Sequence, residues 1–299
     1  VRDPVVSIIV INRNTKEFLK EFLESLESEN FSGELEVWVV DNNSSDGSPA
    51  LVLESFPQVH LIWNTRNEGY ARACNKGIKV SRGEFIIFSN SDVSLEKGAI
   101  KEILDCFRRN PDAGIVGPLV LNPDGTVQLS CREFPSIKEA FMHAFLGFIH
   151  PSNPFTQKYR KAKWEHDREV VVDWVSGAFL AARRSALESI GGFDEKYYMY
   201  VEDVDLCWRM REAGWKVYFT PKARVTHFIG KSSEHANVRM LFHHHKSMFR
   251  FHRKTYKGPA KFLVDLLVGI GVALRFALIM LVNFFRKFRG AEKIMPGKQ

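Results

Sequence analysis

The chain has only four cysteines in 299 residues, Cys74, Cys106, Cys131 and Cys207, with no C-x-x-C pair and no histidine at zinc-finger spacing. That excludes a disulfide framework and a structural zinc site, and a reducing cytosol is the expected setting. No G-x-G-x-x-G lies in the first strand-to-helix turn, and no G-x-x-x-x-G-K-[ST] occurs anywhere. These absences argue against a dinucleotide oxidoreductase and a P-loop enzyme. There is no helix-turn-helix, aromatic RNA motif or zinc finger, so nucleic acid is not an expected partner. Internal repeats and low-complexity tracts are missing too. The opening VRDPVVSIIV lacks the basic start and cleavage site of a secretory signal, so export is not expected.

What is present points to a large folded enzyme-sized domain. With 45% hydrophobic and 26% charged residues the chain can bury a sizeable core. Its net charge of +7 is unevenly spread: from Lys231 onward there are 14 Lys and Arg against 3 Asp and Glu, which leaves Val1–Gly230 at −4. The body is mildly acidic and the tail basic.

VVSIIVIN (Val5–Asn12), LEVWVVDNN (Leu35–Asn43), VHLIWN (Val59–Asn64) and EFIIFS (Glu84–Ser89) are near-continuously apolar, the pattern of strands buried on both faces. Helix-like segments lie between them at Lys16–Glu29, Pro49–Phe56 and Gly69–Val80, and another pattern opens at Ser94–Glu96. The alternation predicts an α/β fold with a parallel, doubly wound sheet. After Ala113 the pattern becomes mixed. GIVGPLVL and VQLSCREF flank NPDGT as a predicted hairpin; Ser136–His150 reads as helix and Pro151–Trp164 as loop. Val170–Ala182 reads as strand, Arg183–Ile190 and Glu202–Ala213 as helices, and Lys216–Thr220 and Arg224–Phe228 as two further strands. The expected organisation is a body of residues 1–230, divided near 112/113, followed by a basic, amphipathic helical extension at 231–299.

Polar residues gather at the carboxyl ends of the predicted strands: Asn12 and Arg13, Asp41–Asn43, Asn64–Asn67, then Asn90–Asp92. Open α/β sheets bind ligands there. Asn and Asp also serve as turn and cap residues, but four successive ends together favour a ligand crevice. A second cluster is YMYVEDVDLCWRMREAGW (Tyr198–Trp215), where Asp205 and Arg209 stand four apart and can pair. Glu202 and Asp203 fall near a helix N-terminus, whose dipole favours ionised carboxylates. They are either proton acceptors or helix-stabilising charges.

VSIIVINRN, VWVVDNNSSDGS, NEGYARACNKGI, FSNSDV, VDWVSGAFLAARRSALESIGGFDE, YVEDVDLCWRM and THFIGKSS, in that order, resemble the family-2 glycosyltransferases of GT-A fold, and most of all their rhamnosyltransferase-like members. The resemblance runs from about Val5 to Ser233. It implies a mixed GT-A sheet with a nucleotide-sugar half and an acceptor half. It implies that Asp41 contacts the donor base, with Asn12, Arg13, Asn43 and Asn67 nearby. Asp92 matches the last acid of the family's D-x-D element, which binds a divalent metal, Mn²⁺ or Mg²⁺, on the donor diphosphate; Asn90 replaces the first acid. His227 matches a further metal ligand of some members. Asp203 matches the catalytic base, and Trp174, Gly177 and Glu202 the acceptor side. The implied activity is inverting transfer of a sugar, L-rhamnose from dTDP-L-rhamnose or a hexose from a UDP-sugar, to a lipid-linked or polysaccharide acceptor. A non-catalytic glycan-binding or scaffold protein would keep the fold without turnover, whereas a glycoside hydrolase would not need a nucleotide crevice.

In KFLVDLLVGIGVALRFALIMLVNFFRKFRG the residues Lys261, Asp265, Arg275, Asn283, Arg286 and Lys287 fall within an arc of about 120° on a helix, opposite a wide apolar face. This favours a helix lying in an anionic cytoplasmic membrane surface over a span, which a central Arg would penalise. The alternative occupants of that face are the protein's own body and a second subunit. The triplet His243–His245 points three ways on a helix and makes a poor metal site.

Overall fold

A computed structural model describes residues 6–29, 31, 33–134, 164, 166–228 and 238–288. The predicted helix at 136–150 lies outside them, as does the loop at 151–164 apart from Trp164.

The first half follows the expected alternation. Strands β1 (Val6–Asn12), β2 (Leu35–Asp41), β3 (His60–Trp63) and β4 (Phe85–Asn90) run parallel in the order β3-β2-β1-β4. Between them lie α1 (Lys16–Ser28), α2 (Ser48–Ser55) and α3 (Tyr70–Val80). Alternate strand residues feed two cores. Ile8, Val10 and Ile87 pack with Leu19, Phe22, Leu23 and Leu26 of α1, which recur at helical spacing, while Ile9, Ile86 and Phe88 pack with Ala73 and Cys74 of α3 on the other face.

Ser94–Glu96 does not open a helix. Val93–Leu95 forms β5, and α4 (Ala99–Arg109) begins after Gly98, whose φ of 90° is left-handed. Tertiary pairing overrides the local pattern here, because β5 joins a later strand, β11 (Lys216–His227). The predicted pair of strands at 216–220 and 224–228 is this single strand, interrupted by an irregularity between Thr220 and Arg224 around Pro221.

The second half is mixed. β6 (Ala113–Leu121) is followed by the Asp124–Gly125 turn, but the expected hairpin shrinks to one bridge between Leu121 and Val127. The second arm leaves, and β7 (Cys131–Arg132) pairs instead with β9 (Trp174–Val175). The expected strand at 170–182 is three pieces: β8 (Val170–Val172), β9, and β10 (Phe179–Arg183), with Gly177 in the break. β10 runs antiparallel to both β4 and β6, and β6 is parallel to β11, completing the order β3-β2-β1-β4-β10-β6-β11-β5 with β8 on β11.

Helices α5 (Arg184–Ile190) and α6 (Glu202–Glu212) cover the sheet face that α3 covers. Beyond the sheet, α7 (Val238–Thr255) packs against α8 (Lys261–Phe288). Lys261, Asp265 and Arg275 of the polar stripe face α7: Asp265 Oδ1 accepts from His252 Nε2 at 3.0 Å, Lys261 and Arg253 flank Asp265, and Arg275 Nη1 lies 3.1 Å from His245 Nε2. The opposite face leaves Phe262, Leu266, Ile270, Leu274, Leu281 and Phe284 exposed.

Candidate active site

Parallel pairing sets Asn12 beside Asp41 at the ends of β1 and β2. Both side chains are fully buried and bond each other. The Asp41 carboxylate accepts from Asn12 Nδ2 at 2.7 Å, from the Ser44 N–H at 2.8 Å and from the Ser44 hydroxyl at 2.6 Å. Asn12 Oδ1 in turn accepts from Thr15 Oγ1 at 2.8 Å, and Thr15 Oγ1 lies 2.7 Å from Ser91 Oγ. A buried hydrogen-bonded chain thus ties the ends of β2 and β1 to the turn carrying Asp92. Asn12 and Asp41 are buried at these strand ends, and Arg13 and Asn43 beside them are exposed. Asn67 Oδ1 accepts from the Gly69 N–H at 2.9 Å and shapes the turn into α3. Sequence reasoning missed Thr15, Ser44 and Ser91, because small hydroxyls in turns look alike whether or not they carry a network.

Asp92 and His227 are 135 residues apart in the chain, yet the β5–β11 ladder sets His227 opposite Val93, and the Phe228 N–H donates to Asp92 O at 2.9 Å. His227 Nε2 lies 3.4 Å from Asp92 Oδ1, with 12% and none of the side chains exposed. The other ring nitrogen, Nδ1, is 2.9 Å from Gln128 Oε1, and the Gln128 amide is oriented by its Nε2 donating to Asn122 Oδ1 at 3.1 Å. Nδ1 is therefore the donor, and in the neutral ring Nε2 presents its lone pair to a carboxylate. Two ligand atoms converge there, a nitrogen and an oxygen, which suit a divalent transition metal completed by other oxygens. Among the described residues no group of three or more His, Cys, Asp and Glu gathers to hold a metal. Asn90, half-buried, ends β4, and its N–H donates to Ala178 O at 2.9 Å.

The same loop reaches the second acidic cluster. The Gly177 N–H donates to Asp203 Oδ2 at 2.8 Å, and the Val204 N–H to Asp203 Oδ1 at 2.8 Å. A side chain at 177 would press against Asp203, since a Cβ there would lie 3.2 Å from the Asp203 Cβ. The Tyr70 hydroxyl donates to Gly177 O at 2.6 Å, locking the loop to the start of α3. Burial raises the Asp203 carboxyl above the usual range, opposed by the two N–H donors and the Arg132 charge. Glu202, 7% exposed, is pushed up to about 8 by burial and then by the charges of Asp203 and Asp205. Both carboxyls are thus raised by burial, but only Asp203 accepts two backbone N–H donors that favour its ionised form.

Asp205 and Arg209 pair as their spacing predicts, with Nε to Oδ2 at 2.7 Å. Trp174 is 6% exposed, and the Arg132 guanidinium lies over its ring at 5.1 Å. In the histidine triplet, His243 stacks on Tyr198, His244 edges onto Tyr200 and His245 Nδ1 bonds Leu241 O. These rings pack rather than converge.

The profile of glycosyl transferase family 2 matches residues 7–190, more than half of the chain. The chain belongs to that family. Family 2 also accounts for the sheet, which is of GT-A type. A mannosyltransferase, PcManGT from Pyrobaculum calidifontis, solved with GDP-Man and Mn²⁺, superposes with a TM-score of 0.58 at 20% identity, over 94% of this chain and 76% of its own. In sequence, the family-2 chain is 35% identical to the N-acetylglucosaminyl-diphospho-decaprenol L-rhamnosyltransferase of Mycobacterium tuberculosis, over 98% of its own length and 99% of that protein. It is 25% identical to the rhamnosyltransferase WbbL of Escherichia coli K12, over 83% of this chain and 92% of WbbL.

Proposed function

We propose that the chain is an inverting rhamnosyltransferase that moves L-rhamnose from dTDP-L-rhamnose to a lipid-linked diphospho-sugar during cell-surface glycan assembly. The observation that carries this reading is the end-to-end likeness to the mycobacterial rhamnosyltransferase, at 35% identity. Asp203 is the general base. It takes the proton of an acceptor hydroxyl as that oxygen bonds the anomeric carbon and the bond from that carbon to the nucleoside diphosphate breaks. A single displacement inverts the carbon and needs no covalent intermediate.

Arg13, Asn43 and Asn67 face the donor from the strand-end rim, with Asn12, Asp41 and Asn90 behind them. Asp92 and His227 would hold a divalent cation, Mn²⁺ in preference to Mg²⁺ because imidazole is one ligand. When bound, that cation neutralises charge on the departing diphosphate. Gly177, Glu202 and Trp174 line the acceptor side, Gly177 by aiming Asp203 and Trp174 by supporting Arg132.

The apolar face of α8 rests on the cytoplasmic membrane surface, where a lipid-linked acceptor resides. Two features support this. Asp265 and Arg275 of the polar stripe are engaged by α7 while the apolar face stays outward, and the side chains of Arg253 and Lys257 are 63% and 75% exposed at that end of the helix pair, available to anionic headgroups.

Calorimetric titration with dTDP and UDP, each with and without Mn²⁺, tests the donor. Metal-dependent binding that prefers dTDP is expected. A preference for UDP would keep the transferase and replace rhamnose with a hexose; binding of neither would overturn the donor assignment.

A further inference from the structure

The turn that delivers Asp203 is held from outside the sheet. Tyr200 and Val201, immediately before α6, have φ of 68° and 69°, a left-handed conformation that side chains, and a β-branched one above all, resist. Contacts must therefore maintain it, and α7 supplies them at each preceding residue. Tyr198 stacks on His243 with centroids 4.4 Å apart, the Ser247 hydroxyl donates to Met199 O at 3.3 Å, and Tyr200 meets His244 edge-on at 5.3 Å. From the other side Tyr198 O accepts from the Tyr70 N–H at 2.9 Å, so the turn is gripped between α3 and α7.

Charge pins the two ends of this segment to α7. Lys254 Nζ donates to both oxygens of Asp205, at 2.7 and 3.0 Å, and to Asp194 Oδ2 at 3.2 Å; Arg250 Nη2 donates to the same Asp194 oxygen at 2.9 Å. Asp205 has no exposed surface and is also bonded by Arg209 and the Tyr197 hydroxyl. One lysine thus bridges the acid before the turn to an acid on the first turn of α6, two residues beyond Asp203.

We propose that Lys254 is a positioning residue for the general base. Acting through Asp194 and Asp205, it fixes the left-handed turn and hence the aim of Asp203 at the acceptor hydroxyl. Helix α7, which lies beyond residues 7–190 of the family match, is on this account a working part of the acceptor site. The inference rests on Asp203 being the base.

The test compares Lys254→Met, Lys254→Arg and Arg250→Gln with wild type, with kcat normalised to the dTDP-binding sites counted by titration. Lys254→Met is expected to lower kcat about 10- to 100-fold with dTDP affinity within about twofold of wild type, and Lys254→Arg to restore most of the rate. Arg250→Gln, which leaves the Lys254–Asp205 contact intact, is expected to lower kcat less and in the same manner. It carries the test if Lys254→Met does not fold. Wild-type kcat per site in Lys254→Met, or in Arg250→Gln when only that variant is soluble, overturns the proposal. So does failure of the arginine to rescue. Asp203→Asn, run in parallel, separates the two claims: if it keeps turnover, the base assignment fails first.

Discussion

His227 Nε2 sits 3.4 Å from Asp92 Oδ1 because β5 pairs with the last residues of β11. On the proposed reading this pair would hold the cation that binds the donor diphosphate. Asp92→Ala and His227→Ala should each weaken Mn²⁺-dependent dTDP binding by about 10- to 100-fold while leaving metal-free binding little changed. Gln128→Leu should act in the same direction more weakly, because Gln128 sets the ring tautomer. Titrations with and without Mn²⁺ check all three; equal losses in both conditions would count against a shared metal.

Asp203→Asn retains shape but cannot accept a proton. Turnover should fall by about 10²- to 10⁴-fold with dTDP affinity unchanged, read by rate and calorimetry on the same preparation.

Gly177 donates its N–H to Asp203 and leaves room for the Asp203 side chain. Gly177→Ala should displace the carboxylate and reduce kcat by about tenfold or more, while the donor KM stays near wild type. A variant with wild-type kcat would show that the contact does not aim the base.

The acidic pair predicts two pH effects. As the proposed base, Asp203 works in its ionised form, so kcat should fall as pH drops through its raised pKa. Glu202 is raised to about 8 in the folded protein, so the fold binds more protons than the unfolded chain between about pH 4.5 and 8. Its contribution therefore lowers stability as pH rises through that window. Thermal melting of Glu202→Gln should lack this loss, and the variant should gain on wild type from pH 5 to pH 8. Identical pH dependence in the two proteins would remove Glu202 from the account.

For the tail, Leu266→Glu with Ile270→Glu places charges on the exposed face of α8 and spares its contacts to α7. Pelleting with anionic liposomes should be lost, with the solution mass unchanged. A fall in mass without loss of pelleting would mean that the face meets a second copy instead.

Much of this arrangement is legible in the chain. The runs at Val5–Asn12, Leu35–Asn43 and Glu84–Ser89 read as doubly buried strands with polar residues at or just beyond their ends, and they form β1, β2 and β4. What escapes the sequence depends on partners distant in the chain. Val93–Leu95 becomes a strand only because β11 is there to pair with it, and Gln128 meets His227 only because the second hairpin arm turns away after one bridge. Asp41 and Asn12 read from the sequence as separate strand-end residues; that they hydrogen-bond each other shows only in the structure. The tail reads as uniformly basic by charge count, yet Arg250 and Lys254 point inward to Asp194 and Asp205, a distinction that charge counting cannot make.

The central claim is tested most directly by incubating the full chain with dTDP-L-rhamnose, Mn²⁺ and N-acetylglucosaminyl-diphospho-polyprenol, and following the lipid product by mass spectrometry. Addition of one rhamnose, abolished in Asp203→Asn, is the predicted result. Absence of the rhamnosylated lipid under conditions where a UDP-hexose yields product would contradict it.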